Sequence, residues 1–135
     1  MNIYEKLQTC RVELQKMNLR KSGKNEYAGY DYFELCDFLP QINELFLQHK
    51  LFSQVSFTQD VATLTIIDVE KPEDNITFTS PMASATLKGC HDIQNLGAVE
   101  SYQRRYLYLT ALEIVESDAL EPTTGKGDKQ PKNNK

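Results

Sequence analysis

No stretch of the chain approaches the ~20 consecutive apolar residues that a membrane-spanning helix needs, so no segment is expected to cross a bilayer. The N-terminus lacks the apolar region of a signal peptide, and the protein is expected to stay in the cytoplasm of the cell that makes it. Cysteine is sparse and unpaired in pattern. Cys10, Cys36 and Cys90 are odd in number and show no CxxC spacing, which suits reduced thiols better than a disulfide framework. The GxxxxGK[ST] phosphate loop is missing, since "TGKGDK" and "KSGKNE" do not satisfy it, so neither ATP hydrolysis nor any cofactor is expected. A surplus of positive charge is missing too: the net charge is −4, which argues against a uniformly basic, histone-like binder.

The charge that is present is unevenly spread. Residues 11–24 hold Arg11, Lys16, Arg20, Lys21 and Lys24 against Glu13 alone, whereas residues 60–75 hold Asp60, Asp68, Glu70, Glu73 and Asp74 against Lys71 alone. With 135 residues and 40% hydrophobic content, the chain has material for one core, and a single domain over residues 1–121 is expected. The tail from Pro122, "PTTGKGDKQPKNNK", has no apolar residue beyond its prolines and reads as disordered and basic.

Periodicity supplies the elements. Ile3, Leu7, Cys10, Leu14 and Met17 recur at spacings of four and three and predict a helix over residues 2–18. Residues 18–31, rich in Gly, Asn, Ser and Lys, read as a loop. Leu35, Phe38, Leu39, Ile42, Leu45 and Phe46 predict another helix, with Asp37 as its N-cap and Pro40 tolerated near its start. "FSQVSFT", "ATLTIIDVE" and "NITFTSPM" then change to the Val, Ile, Thr and Phe content of three antiparallel strands, with "EKPEDN" as a turn. "LKGCHDIQNLG" reads as a loop ending at Gly97, followed by a final helix over residues 97–113. The expected fold is α+β in the order α-α-β-β-β-α, a three-stranded antiparallel sheet packed against a long C-terminal helix.

Catalytic chemistry is hard to find. Cys90-His91-Asp92 has metal-ligand types, but three consecutive residues converge poorly on one ion, and no metal site is expected. Asp68, Glu70 and Asp74 could serve a metal-dependent nuclease, although a solvated hairpin turn explains them as well. No serine or cysteine has an evident base, so no catalytic residue is assigned and an enzyme is not expected.

Basic and aromatic residues remain. In the last helix, Tyr102, Tyr106, Leu109 and Glu113 fall along one face, of which Tyr102, Tyr106 and Leu109 are expected to pack on the sheet, while Arg104 and Arg105 project toward a rim. Guanidinium groups meet phosphates through two parallel hydrogen bonds. In the loop, Lys21 and Lys24 bracket Gly23 and are followed by Tyr27, Tyr30 and Tyr32. Cations interleaved with aromatics suit single-stranded nucleic acid, where phosphates meet cations and bases stack on rings. The competing expectation is that these tyrosines staple the loop to the helices.

These two stretches carry a resemblance. "IYEKLQTCRVEL…KSGKNEYAGYDYFEL" followed by "IQNLGAVESYQRRYLYLTALEIVESD" resembles the ERF (essential recombination function) family of phage single-strand annealing proteins, from about Ile3 to Asp118. The N-terminal stretch is similar to the family's KSGxNxxxxYxY loop. The C-terminal stretch resembles its QxxGxxxTYxxRYxL helix with a trailing acidic residue, here Asp118, and with Ser101 where threonine is usual. The resemblance implies a fold similar to the eukaryotic strand-annealing recombination mediator. It also implies homo-oligomeric rings or helical filaments that hold single-stranded DNA and pair complementary strands without ATP. Lys21, Lys24, Arg104 and Arg105 would then hold the backbone, and Tyr27 or Tyr30 would stack on bases. A host or phage single-strand-binding protein is a further candidate partner. An inhibitor or adaptor that uses the same fold to bind protein is the alternative from another class.

Overall fold

The computed structural model describes residues 1–82 and 92–116. They form two compact units: Met1–Asn18 with Leu39–Ile114, and Leu19–Phe38 with Val115 and Glu116.

The first unit opens with helix α1 (Ile3–Gln15). Asn2 accepts a hydrogen bond from the Glu5 backbone N–H at 2.9 Å, and Glu5 accepts one from the Asn2 N–H at 2.9 Å, so two otherwise orphaned donors are satisfied reciprocally. Ile3, Lys6, Leu7, Cys10 and Leu14 form its buried stripe. The helix ends at Gln15 rather than at residue 18, and Met17 lies outside it and exposed. Helix α2 (Leu35–Gln48) carries Pro40 in its second turn and buries Ile42, Leu45 and Phe46. Glu34 precedes this helix, and Asp37, expected to cap it, sits one turn inside. From there Asp37 accepts the Glu34 backbone N–H at 2.8 Å.

Strands β3 (Leu51–Phe57), β4 (Val61–Asp68) and β5 (Asn75–Pro81) form the expected antiparallel sheet with β4 in the centre. The register runs Leu51↔Asp68 to Phe57↔Ala62 on one side of β4 and Val61↔Pro81 to Ile67↔Asn75 on the other. Period-two alternation puts Ala62, Leu64, Ile66 and Asp68 on the covered face and Thr63, Thr65 and Ile67 on the opposite one. Ala62, Leu64 and Ile66 are fully buried, and burial of Leu64 and of Ile66 contributes ~1.5–3 kcal/mol each.

Helix α3 (Asp92–Ala111) packs on β4 and β5. It begins five residues before the expected start, and Gly97 lies within it with open space where a Cβ would stand. A lone glycine weakens a helix by ~1 kcal/mol but does not stop it. The helix ends with Glu113 at φ 55°, where the Ile114 N–H reaches the Leu109 carbonyl at 2.9 Å and the Glu113 N–H reaches Thr110 at 3.2 Å.

The other unit departs from the expected loop. Residues 23–32 form a hairpin of strands β1 (Gly23–Asn25) and β2 (Tyr30–Tyr32), so the observed order is α-β-β-α-β-β-β-α. Three-residue strands are too short to show a period, so composition alone points to a loop. Cys90, His91, Asp118 and the tail from Pro122 lie outside the described residues.

Candidate nucleic-acid interface

The hairpin gives each residue of the "KSGKNEYAGYDY" stretch a place. Asn25 turns the chain: its side-chain oxygen accepts the Ala28 N–H at 2.9 Å, and its carbonyl accepts the Gly29 N–H at 2.7 Å. Gly29 has φ +76°, a conformation glycine adopts without cost. Gly23 pairs with Tyr32 across the strands, and a Cβ there would stand 2.5 Å from the Tyr32 ring, so the ring occupies the space the glycine leaves.

The tyrosines divide by this geometry. Tyr27 stands at the hairpin tip with its side chain entirely in solvent. Tyr30 is half-buried, accepts a hydrogen bond from the Asn25 amide at 3.3 Å and meets Tyr32 edge-on at 6.3 Å. Tyr30 and Tyr32 therefore hold the hairpin together, and Tyr27 alone offers both ring faces.

The loop cations are constrained as well. Lys24 is exposed, with its ammonium 3.5 Å from Asp31 on the neighbouring strand, an ion pair worth ~0–1 kcal/mol at such a site. The Lys21 ammonium sits 5.3 Å from the centroid of the Phe33 ring. Ser22 anchors the start of the hairpin: its N–H and hydroxyl both donate to Asp37 Oδ2 at 2.8 Å. Burial pulls the Asp37 carboxyl toward higher pKa, but the Ser22 and Glu34 donors outweigh it and leave the group below its ordinary value.

The two arginines belong to the unit built around the three-stranded sheet, on α3. Arg104 is half-buried with its guanidinium 5.8 Å from the Phe57 ring centroid, and among the described residues no carboxylate pairs with it. Arg105 is half-buried too.

The packing face of α3 is not the expected one. Tyr102 and Tyr106 are 53% and 49% exposed, and only Leu109 of the expected trio is buried. Gln103, Leu107, Tyr108 and Ala111 are buried instead, on the helix that packs on β4 and β5. Gln103 donates to the Pro81 carbonyl at 3.0 Å and accepts the Ser80 hydroxyl at 3.2 Å, and the Tyr108 and Ser53 hydroxyls lie 2.7 Å apart. A glutamine bonded to Ser80 and Pro81 of β5 takes a core position, and amphipathic tyrosines tolerate the wet face.

Of the acidic residues in segment 60–75, Asp68 turns inward. Lys6 is buried and bonds Asp68 at 2.6 Å and Glu70 at 2.7 Å. These hydrogen bonds raise the Lys6 pKa, and that from Lys6 lowers both carboxyls below their ordinary values. The ammonium thus sits between the two carboxylates. Asp74 pairs separately with Lys71 at 3.9 Å. Among the described residues no group of three or more His, Cys, Asp and Glu side chains could hold a metal ion, and no helix is long and apolar enough to cross a membrane.

The family model described as the ERF superfamily matches residues 3–135. The chain belongs to the ERF superfamily. The ERF match extends past Asp118 through the tail, and it brings with it a general role in phage-type recombination and strand annealing. ERF proteins are known for annealing rather than catalysis. No curated protein and no solved structure matches the chain.

Proposed function

We propose that this ERF protein binds single-stranded DNA and anneals complementary strands without ATP, in homologous recombination in the cytoplasm of a phage- or prophage-bearing host. The observation that carries the reading is the family match over residues 3–135. The cationic and aromatic residues on the hairpin and on α3 support it. Lys21, Lys24, Arg104 and Arg105 hold phosphates, and Tyr27 stacks on a base, with Tyr30 bracing the hairpin beneath it. Phosphate contacts position a strand without reading its sequence, which leaves bases available for pairing. Annealing needs many nucleotides held together, so the protein works as a homo-oligomer, a ring or a helical filament. The segregation of positive charge in residues 11–24 and negative charge in residues 60–75 suits head-to-tail packing. The tail beyond residue 121 is dispensable for the fold.

The test is the annealing rate of Arg104→Ala beside its circular dichroism spectrum. We expect a folded protein that binds and anneals more slowly, with only partial rescue by Arg104→Lys, because an ammonium lacks the bidentate fork. Affinity for an unstructured oligonucleotide should fall with log salt at a slope of about −0.7 per phosphate contact. A folded Arg104→Ala protein annealing at the wild-type rate, or a flat salt dependence, would remove the arginine and the phosphate grip from the reading.

A further inference from the structure

Hydrogen bonds at the two ends of the β4–β5 ladder fix which backbone groups of β5 are in use. The Met82 N–H donates to the Asp60 carbonyl at 3.0 Å, and the Asp68 N–H donates to the Asp74 carbonyl at 3.1 Å. In an antiparallel pair, bonded and non-bonded residue pairs alternate. Both ends give the same phase, so Ala62 with Ser80, Leu64 with Phe78 and Ile66 with Ile76 are the bonded pairs. Asn75, Thr77 and Thr79 therefore turn their N–H and C=O groups away from β4, toward the outer edge of the sheet. All three residues are exposed, and among the described residues no strand pairs with that edge. Pro81 ends the row, because it has no N–H and its carbonyl already accepts from Gln103. Edge strands that stay unpaired are commonly blunted by charge, by an interior proline or by a bulge. Residues 75–80, "NITFTS", contain no charge and no proline, and their register with β4 is unbroken.

We propose that the outer edge of β5 docks a second copy of this chain, strand against strand, about a two-fold axis at Thr77. The strand is complementary to itself in that register. Antiparallel pairing about Thr77 sets Thr77 opposite its own counterpart and Asn75 opposite Thr79. Each such pair exchanges two hydrogen bonds, which satisfies the outward N–H and C=O of all three residues on both copies. On the open face, threonine hydroxyls meet across the join. On the covered face, the same register sets Ile76 opposite Phe78, both half-buried, as a pair of β-branched and aromatic side chains. A two-fold contact also brings the residue at its axis against its own copy, where any charge would repel itself. A strand without charge, in a chain of net charge −4, suits that symmetry. The contact closes on itself at two copies, so it is distinct from the head-to-tail packing of a ring or filament and does not depend on DNA.

The experiment uses the full chain carrying Cys36→Ser and Cys90→Ser, which leaves the buried Cys10 as its native thiol. In this background Thr77→Cys should form a covalent dimer under mild oxidation. A bonded antiparallel pair sets its Cα atoms ~5.5 Å apart, within disulfide range. Gln54→Cys, exposed on the same sheet face of β3, should not cross-link, because five strand spacings of ~4.8 Å put its two copies ~24 Å apart. Thr77→Lys should keep the circular dichroism spectrum and halve the mass read by light scattering, since like charges then oppose each other at the axis. The Asn75 and Thr79 amides should be protected from hydrogen exchange in wild type and exchange freely in Thr77→Lys. A folded Thr77→Cys protein that cross-links no faster than Gln54→Cys would overturn the pairing. So would a Thr77→Lys protein of wild-type mass, or free exchange of both amides in wild type. A wild-type protein that stays monomeric would remove this contact and the ring or filament together. An assembled wild type without the Thr77 cross-link would remove this contact alone.

Discussion

Arg11 of α1 donates from Nε to the carbonyl of Ala111, 2.9 Å away, at the last residue of α3. The last turn of α3 has no basic residue of its own, so α1 supplies the cation that its C-terminus favours. Glu113 adds a weaker contact to Arg11 at 3.7 Å, and Gln8 accepts from the same guanidinium at 3.2 Å. Arg11→Ala should destabilise the protein by about 1–2 kcal/mol, the worth of a charge-assisted hydrogen bond at a helix end. Chemical denaturation measures this, and Arg11→Lys should recover only part of it. An unchanged midpoint would show that water caps the helix equally well.

Lys6 and its carboxylates give stability a definite pH dependence. The Asp68 and Glu70 pKa values are lowered in the folded state, so their contribution is present above the ordinary carboxylate range near ~4 and is lost as pH falls through the lowered values. The Lys6 pKa is raised, so its contribution is present below ~10.4 and is lost as pH rises through the raised value. Melting temperature should therefore vary little from about pH 6 to 9 on this account and drop on acidification. Lys6→Met removes the largest cause of the Asp68 shift, so it should melt lower at about pH 7 and show a shallower fall toward about pH 3. Equal acid slopes in the two proteins would mean that other carboxylates govern the transition.

Gly23 and Tyr32 are coupled by contact. With a Cβ only 2.5 Å from the ring, Gly23→Ala forces the ring aside and should cost about 1–3 kcal/mol of hairpin stability. Hydrogen exchange at the β1 and β2 amides reads that local loss. Adding Tyr32→Ala should make the glycine substitution nearly neutral, because the clash is gone. Two strictly additive losses would show that the glycine matters for its backbone and not for the space above it.

Legibility in the sequence follows distance along the chain. The Ile3, Leu7, Cys10 and Leu14 stripe and the β4 alternation are local patterns with enough residues to show a period, and the structure has both. The place of Lys6 in the buried stripe is not legible, because its partners lie 62 and 64 residues away. The packing face of α3 is hidden for the same reason: Ser80 and Pro81 make Gln103 a core residue, and nothing near Gln103 in sequence announces them. Of the candidate site, the residue types of the hairpin stretch are visible. Its division into the exposed Tyr27 and the bracing Tyr30 depends on a turn that three-residue strands conceal.

The central position of β4 has a consequence for synthesis. Ala62, Leu64 and Ile66 leave the ribosome well before Leu107, Tyr108 and Ala111, which belong to the helix that packs over them. Lys6, made near the start, likewise waits for Asp68 before its charge is matched. The nascent chain therefore presents an unmatched ammonium until β4 is made and an apolar row until α3 emerges, and this unit completes its fold only then.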